Sequence, residues 1–443
     1  MNQISIKKGH NINIQGCPRP EISSIPLPHK VSICPNQFRG VKPKLIVKEG
    51  DEVKIGSPLF FDKLKPQVKW PSPGSGKVTE IKFGKRRVIE RIEIARDDNQ
   101  FIKLKTFTRE EIKGLDRKKI IDHILEANLF PLIRQRPFNK VASPSQIPRD
   151  IFISGYNSAP LAVDLSTLIN TNKNIFQIGL TVLSRLTKGA VFLSLDKHMD
   201  FDDVFTQKIS GPHPAGNVGI QIHHTKPLRP GDIVWSLDAQ HVLTLGRLFK
   251  FGKYDPKIIV TIGGSGSTKP ITVETVSGAS IESLISSQII EKPVRIISGN
   301  ILTGMKVSLK DYLGFYDSSV SILNDEVKRP FLGMLSPGSS KSKYSLFNAF
   351  LSFGNELFDF TTSQNGELRA MVPLNAWEKV LPMNILPNPL YRAILAKDIE
   401  EMEKLGIWEC DDEDFALCSF ACPSKIDLGA VIREGLDLME LEG

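Results

Sequence analysis

The chain has 443 residues, of which 41% are hydrophobic and 24% charged. This composition is typical of a soluble globular protein with room for roughly three domains. No apolar run approaches the ~18 residues of a membrane-spanning helix, and the N-terminal residues lack the apolar core of a signal peptide. Three of the five cysteines lie in one short segment, which argues against a disulfide framework.

Charge is distributed unevenly along the chain. Residues 1–150 carry a net charge of +14, and the remaining residues carry a net charge of −6. A basic N-terminal third could face nucleic acid, anionic lipid headgroups or an acidic partner, or could simply be a solvated surface. No zinc finger, RNA-recognition signature or basic stretch interleaved with aromatic residues occurs. Nucleic acid is therefore not expected, whereas contacts with lipid or with a protein partner stay open.

Residues 40–95 show short extended runs separated by turn residues, which predicts a small β domain. Their pattern resembles the biotinyl/lipoyl barrel-sandwich module at Glu49-Gly50-Asp51, Val53, Gly56, Pro58-Leu59 and Gly76-Lys77-Val78. In carriers of that type, a lysine at an exposed hairpin tip bears a swinging arm. Lys63 and Lys65 are the candidates here, but their loop is irregular and contains Pro66. We expect a structural barrel with solvated lysines.

Residues 118–128 predict a helix with an apolar stripe for the core. Further on, residues 151–153 and 190–195 resemble strands, and residues 161–169 and 180–186 resemble helices. This alternation of strands and helices predicts a parallel sheet.

Residues 257–262, 271–276 and 293–298 predict strands, with a helix near 281–287 and mainly helices after residue 340. Gly264 and Gly266 follow the first of these strands, as in a dinucleotide fingerprint. Lys269 stands where the third glycine would be, and a β-rich stretch follows instead of a helix. We therefore expect an ordinary turn, because a pyrophosphate site needs a helix N-terminus there.

The segment 211–216, Gly-Pro-His-Pro-Ala-Gly, holds His213 between two prolines that restrict the backbone. His213 is either a hydrogen-bond partner for a bound carbonyl or part of a rigid corner. His223 and His224 are adjacent, and on a strand they would point to opposite faces. Since no carboxylate pattern accompanies them or His241, no metal site is expected.

The C-terminal segment Cys418-Ser-Phe-Ala-Cys422-Pro423 matches the closing half of a ferredoxin cysteine run. Phe415 and Asp412 occupy the earlier cysteine positions, and Cys410 is out of register. A [4Fe–4S] cluster needs four ligands, and this segment offers at most three. Cys410, Cys418 and Cys422 therefore look like the remnant of a lost cluster.

Several stretches together resemble the A subunits of the Na⁺-translocating NADH:quinone oxidoreductases, along nearly the whole chain. The matching stretches are Ile6-Lys-Lys-Gly9, Arg86-Arg-Val88, Arg136-Pro-Phe138, residues 211–216, Val234-Trp-Ser236, Val294-Arg-Ile-Ile-Ser-Gly299, Met371-Val-Pro373, Glu378-Lys-Val380 and Asp412-Glu-Asp-Phe-Ala-Leu-Cys418 with Cys422-Pro423.

This resemblance implies an α/β multidomain protein. We expect a barrel-sandwich domain over 1–105, a Rossmann-like α/β domain over 106–260, a soluble-ligand-binding β-grasp domain over 261–310, and a helical C-terminal domain over 311–443 with a degenerate ferredoxin-like motif.

The resemblance also implies a peripheral protein on the cytoplasmic side of the bacterial inner membrane, bound to the B to F subunits of its complex and especially to the membrane-embedded B subunit. That complex couples NADH oxidation and ubiquinone reduction to Na⁺ export. FAD, FMN, riboflavin and [2Fe–2S] are expected in the other subunits, with no cofactor and no catalysis in this chain alone. The basic front and the acidic tail would then be docking surfaces.

Ubiquinone becomes a candidate ligand through this resemblance. A quinone site needs an apolar slot for the ring and one or two donors for the carbonyls. Phe130, Phe138, Arg134 and Arg136 offer these residue types close together, and His213 could add a donor. The alternative is an electron carrier similar to the C subunit of Rnf complexes, with an iron–sulfur cluster at Cys410, Cys418 and Cys422.

Overall fold

A computed structural model describes residues 2–97, 99–286, 288–326, 344–346, 356–364, 366–372 and 374–443. The first two strands in these residues are β1 (Asn2–Ser5) and β2 (Ile22–Ser23), and both join sheets that are formed mainly by later parts of the chain.

The N-terminal domain consists of two small antiparallel sheets. Its strands are β3 (Lys30–Ile33), β4 (Pro43–Leu45), β5 (Glu52–Val53), β6 (Pro58–Asp62), β7 (Lys65–Pro71), β8 (Gly76–Phe83) and β9 (Ile89–Arg96). One sheet has the order β3-β9-β8-β5 and the other the order β4-β6-β7. Phe60 stacks on Trp70 with ring centroids 4.6 Å apart, and both rings are fully buried. The extended runs predicted over 40–95 are confirmed.

The second domain is built on a seven-stranded sheet. Its elements are α1 (Arg109–Gly114), α2 (Arg117–Glu126), β10 (Arg134–Arg136), β11 (Lys140–Val141), β12 (Ile151–Ser154), α3 (Leu165–Thr171), α4 (Lys173–Ser184), β13 (Val191–Leu195), β14 (Phe205–Ser210), α5 (Val218–Thr225), β15 (Val234–Asp238) and α6 (Ala239–Phe251).

The strand order of this sheet is β1-β14-β13-β12-β15-β10-β11. The first five strands in this order, β1, β14, β13, β12 and β15, are parallel to one another. Strands β10 and β11 are antiparallel and lie at one edge of the sheet. From β12 the chain moves outward through β13 and β14, then returns to place β15 on the opposite side of β12. The predicted parallel sheet is confirmed, and the winding direction reverses between β12 and β15.

Local capping explains where the helices of this domain begin. The helix predicted over 118–128 is α2, whose N-cap Asp116 accepts a hydrogen bond from the Lys119 backbone N–H. The helix predicted over 161–169 begins only at Leu165, because Asp164 caps it and Leu161 has a φ of 63°. His223 and His224 lie on helix α5, so the prediction that they point to opposite faces of a strand was wrong.

A six-stranded sheet follows, with the order β19-β18-β20-β16-β17-β2. Its elements are β16 (Lys257–Gly263), β17 (Ile271–Val276), α7 (Ile281–Ile285), β18 (Val294–Ser298), β19 (Met305–Val307) and β20 (Ser319–Asn324). Gly264 has a φ of 110°, and a Cβ there would come closer than 3.0 Å to the Ile322 carbonyl oxygen. Because the element after this turn is strand β17, the glycines form a tight turn and do not open a helix.

The C-terminal part is helical, with α8 (Ala376–Val380), α9 (Pro387–Ala396), α10 (Ile399–Lys404), α11 (Asp412–Ala421) and α12 (Leu428–Glu442). Trp377, Phe415 and Leu436 belong to one apolar core together with Ile4 of β1 and Ile209 of β14. The helices predicted after residue 340 are confirmed from residue 376, while residues 347–355 lie outside the described residues. Within the described parts of the chain, no helix is long and apolar enough to cross a membrane.

Candidate functional site

The two phenylalanines predicted for a quinone slot lie in different surroundings. Phe130 is fully buried and meets Trp235 edge-to-face, with ring centroids 5.8 Å apart. Phe138 is partly buried and packs edge-to-face against Trp408, with ring centroids 5.6 Å apart. Phe130 is therefore part of the core, and Phe138 lies where the second domain meets the C-terminal helices.

Arg136 is a buried cation, only 2% exposed. Its guanidinium forms an ion pair with Asp411 at 3.1 Å and another with Glu413, and lies 3.9 Å from Asp414. These carboxylates raise the pKa of Arg136 although burial opposes the charge. Burial in turn raises the pKa of Asp411 to about 6, with Arg136 opposing that shift. Arg136 thus connects β10 to the start of α11.

His213 is also buried, and its ring Nδ1 lies 3.1 Å from the Ser158 hydroxyl oxygen. Its backbone N–H donates to the Asn11 side chain at 2.9 Å. Burial lowers the pKa of His213 to about 4, so the imidazole is neutral at physiological pH. This geometry favours the rigid corner over an accessible donor.

Arg134 differs from Arg136 and His213 because it is only partly buried. It lies at the start of β10, opposite Ser236 of β15. Its guanidinium lies over the Tyr316 ring, 5.0 Å from the ring centroid. Within the described part of the chain it makes no hydrogen bond or ion pair, so its N–H donors are free for a ligand.

Four ionisable side chains surround Arg134, and we call this group with Phe315 the Arg134 recess. Its residues are Arg134, Asp238, His241, Phe315, Tyr316 and Asp317, all partly exposed. Burial raises the pKa of Asp238 to about 6, and Arg134 opposes this shift. Burial, together with Arg134, lowers the pKa of His241 to about 3. Clusters of ionisable groups with shifted pKa values are enriched at functional sites.

The recess occurs here because of the strand order. Asp238 ends β15 and caps α6 by accepting a hydrogen bond from the Gln240 backbone N–H at 2.7 Å. The winding of the sheet reverses between β12 and β15, and open α/β sheets bind ligands outside the carboxyl ends of strands at such a reversal. The recess lies beside that position.

The aromatic wall of the recess comes from outside the α/β domain. Tyr316 follows β19 of the six-stranded sheet, and its hydroxyl donates to the Pro131 carbonyl at 2.7 Å. His241 meets the Tyr316 ring with centroids 5.8 Å apart, and Phe38 of the N-terminal domain contacts both Phe315 and Tyr316. Two domains therefore contribute residues to the recess, and the buried Phe38 of the N-terminal domain packs against its aromatic wall.

The recess combines a cation, a neutral imidazole, two carboxyl groups and aromatic rings. Among the described residues neither ring nitrogen of His241 has a hydrogen-bond partner. Such a set can hold a flat ring between aromatic side chains while Arg134 donates to a ring carbonyl. The sequence pointed to Arg134 but missed Asp238, His241 and Tyr316. The available signal was Asp238 between β15 and α6, but an aspartate at the start of a helix indicates a helix cap as readily as a binding site.

The three C-terminal cysteines do not form a cluster site. Cys410, Cys418 and Cys422 are buried, and the Cys418 thiol lies 3.8 Å from the Trp377 carbonyl oxygen. Burial raises the pKa of the Cys410 and Cys418 thiols, which disfavours the thiolate that binds iron. Among the described residues, no group of three or more His, Cys, Asp or Glu is arranged to hold a metal ion. The residues present do not fit an iron–sulfur cluster.

The two candidate carrier lysines lie at the β6–β7 hairpin. Lys65 is partly buried and donates from Nζ to the Val141 carbonyl at 3.3 Å. Burial and the charge of Lys140 lower its pKa. Lys63 is exposed in the turn. Lys65 therefore contacts the α/β domain, which does not suit the attachment point of a swinging arm.

Family models match three parts of the chain. Residues 4–97 match the NqrA N-terminal barrel-sandwich hybrid domain, residues 115–254 the NqrA second alpha/beta domain, and residues 259–308 the NQRA C-terminal domain. These matches confirm the predicted barrel-sandwich and α/β domains and the ligand-binding β module. The fold is that of a multidomain α/β protein.

Relatives match over nearly their full length. Proteins named as the A subunit of Na(+)-translocating NADH-quinone reductase from Saccharophagus degradans, Hahella chejuensis and Pasteurella multocida are 38%, 37% and 36% identical to the chain. Each alignment covers 99% of this chain and 100% of the relative. The chain belongs to the family of A subunits of the Na⁺-translocating NADH-quinone reductases. A NAD⁺-reducing [NiFe]-hydrogenase overlaps 49% of the chain at a TM-score of 0.37 and 11% identity, which is too weak to carry an argument.

Proposed function

We propose that the chain is the peripheral A-type component of a complex that couples NADH oxidation and ubiquinone reduction to Na⁺ export. In this proposal it lies on the cytoplasmic side of the inner membrane and binds the B to F subunits, especially the membrane-embedded B subunit. It carries no redox cofactor; FAD, FMN, riboflavin and [2Fe–2S] belong to its partners. The full-length similarity to A subunits supports this assignment.

We further propose that the Arg134 recess holds the head group of a quinone. The observation that carries this proposal is Arg134, whose guanidinium lies over Tyr316 without a hydrogen bond or ion pair to any described residue. A quinone carbonyl would accept from Arg134, and the ring would lie against the aromatic wall. His241, neutral and without a described hydrogen-bond partner, could donate to the second carbonyl.

Of the five residues predicted from the sequence, the proposal keeps Arg134. Phe130, Arg136 and His213 are buried within the protein, so their replacement would disturb folding before it reported on a ligand. Phe138 lies against Trp408 at a domain boundary. The Rossmann-like description of the second domain belongs to the same proposal, since the recess lies where a doubly wound sheet would place a ligand.

Titration of the purified chain with a short-chain ubiquinone tests the proposal. Removing a hydrogen bond from a charged donor costs about 1.5–3 kcal/mol, so Arg134→Gln should weaken binding roughly ten- to hundredfold. Arg229→Gln removes an exposed arginine elsewhere and should leave the affinity unchanged. Unchanged binding in both Arg134→Gln and His241→Ala would place the quinone elsewhere. If the unmodified chain does not bind the ubiquinone, the quinone proposal fails and only the role as a scaffold for the complex is left.

A further inference from the structure

The tip of the β8–β9 hairpin combines cations, exposed apolar side chains and an unusual backbone. Residues 83–88, which we call the basic tip, have the sequence Phe-Gly-Lys-Arg-Arg-Val. The Gly84 backbone N–H donates to the Val88 carbonyl at 2.8 Å and closes the turn. Arg86 and Arg87 have φ values of 56° and 59°, a left-handed conformation that is uncommon outside glycine. Strained backbone of this kind is often retained where a function requires it.

Three cations of the basic tip lack counter-charges. Lys85, Arg86 and Arg87 are all exposed, and none has an ion pair within the described part of the chain. Lys82, just before the tip, is different, because its ammonium pairs with Glu90 at 3.0 Å. The tip therefore presents three adjacent positive charges to solvent.

Apolar side chains lie on both sides of these cations. Phe83 is 47% exposed and Val88 is 49% exposed, whereas Ile81 and Ile89 beside them are buried. Neither Phe83 nor Val88 belongs to an apolar core of the protein. Phe83 and Val88 are therefore apolar side chains on the surface that flank the three cations.

We propose that the basic tip rests on an anionic phospholipid surface. Its ammonium and guanidinium groups would contact the headgroup phosphates while Phe83 and Val88 enter the boundary between headgroups and acyl chains. Cations next to exposed apolar side chains are the pattern of an interfacial anchor. An acidic protein surface is the competing partner, but exposed apolar side chains on both sides of the cations fit the headgroup boundary of a bilayer. The net charge of +14 on residues 1–150 adds attraction to the same surface.

Co-sedimentation of the full chain with vesicles tests this proposal. Vesicles of phosphatidylcholine alone are compared with vesicles of phosphatidylcholine and phosphatidylglycerol. The chain should bind the mixed vesicles and not the neutral ones, and added salt should release it, because exposed charges are screened over about 10 Å at 0.1 M salt.

Variants separate the tip from the general charge of the chain. Lys85→Gln, Arg86→Gln and Arg87→Gln combined should lower the affinity for mixed vesicles about a hundredfold, at roughly fivefold for each charge. Lys118→Gln, Lys119→Gln and Lys188→Gln remove the same charge from exposed positions elsewhere and should have a far smaller effect. Phe83→Ser keeps all charges and should still weaken binding.

Three outcomes would overturn the proposal. The first is equal binding to neutral and mixed vesicles, or no binding to either. The second is an equal loss in the tip variant and the matched charge variant, which would reduce the effect to net charge. The third is a tip variant that binds vesicles normally but fails to assemble with the rest of the complex in detergent, which would assign the tip to an acidic protein partner. These results do not depend on where quinone binds.

Discussion

Two arginines on one short strand have opposite surroundings, and this contrast decides the candidate site. Arg134 and Arg136 lie two residues apart on β10. Arg136 is buried among Asp411, Glu413 and Asp414, while Arg134 lies over Tyr316 with free donors. In the sequence the two arginines look equivalent, because residues two apart on a strand point to the same face. The difference arises because the segment beyond Arg136 meets α11, whereas the recess opens at Arg134.

Arg136→Met should destabilise the protein strongly. Removing one partner of a buried ion pair leaves uncompensated carboxylates and costs about 3–5 kcal/mol. We expect a lower midpoint of urea unfolding, with the loss smaller at acidic pH because the unpaired carboxylates can then be protonated. Arg134→Met is the matched control, and it should change the midpoint little because Arg134 is partly exposed and unpaired. Equal midpoints for the wild type and Arg136→Met would contradict the ion-pair role.

At the scale of elements, helices α4 and α6 approach each other through two glycines. A Cβ on Gly179 of α4 would come closer than 3.0 Å to the Val242 carbonyl oxygen of α6. In return, a Cβ on Gly246 of α6 would come closer than 3.0 Å to the Ile175 carbonyl oxygen of α4. The two backbones are therefore in mutual contact, and this contact fixes α6, the helix that carries the recess residue His241.

Gly179→Ala and Gly246→Ala should each destabilise the fold although alanine is the better helix former. Overpacking costs about 1–3 kcal/mol, which exceeds the gain of ~1 kcal/mol in helix propensity. Gly114→Ala at the end of α1 is the control, because no atom lies within 4 Å of its added Cβ. The midpoints of thermal unfolding of the three variants should be compared with that of the wild type. If the Gly179→Ala protein is as stable as the Gly114→Ala protein, α4 and α6 can move apart without a loss of stability, and the close approach of their backbones is not required.

At the scale of the whole molecule, the acidic residues at the start of α11 join several parts of the chain. Arg39 of the N-terminal domain pairs with Asp412, Arg136 of the α/β domain with Asp411, and Arg433 of α12 with both aspartates. Asp411 and Asp414 are buried. These two carboxylates are therefore used inside the chain. Glu434, Asp437, Glu440 and Glu442 of α12 are exposed, so the docking surface suggested for the acidic tail stays a prediction. The C-terminal helices and their thiols share a core with β1 and β14.

Thiol accessibility reports on this arrangement. In the native protein a thiol reagent should modify exposed Cys17 rapidly and Cys34 slowly, since burial raises the pKa of Cys34 to about 11. Cys410, Cys418 and Cys422 should react only after denaturation. Cys17→Ser should remove the fast phase. Iron and acid-labile sulfide in stoichiometric amounts in the same sample would instead support the electron-carrier alternative, and we expect neither.

Local patterns account for what could be predicted. The turns at Gly50 and Gly56 and the alternation of strands and helices over 151–238 depend on neighbouring residues, so the barrel and the parallel sheet could be inferred. Helix boundaries were less accurate, since α3 starts at the cap Asp164 and not at the first apolar residue. Grouping Phe130, Arg134, Arg136, Phe138 and His213 relied on sequence proximity, which does not specify the direction of a side chain.

The sequence by itself determined the family, the domain types and the broken cysteine run, because all three are recognised from residue types at fixed spacings along the chain. Only the tertiary structure decided which arginine is free, since the partners of Arg136 and the ring beneath Arg134 come from segments far along the chain. It also decided that the tip cations Lys85, Arg86 and Arg87 lack counter-charges, because a nearby carboxylate, Glu90, pairs with Lys82 instead. Contacts between residues that are far apart in the sequence depend on how whole helices and strands pack, and the local spacing of residues does not predict them.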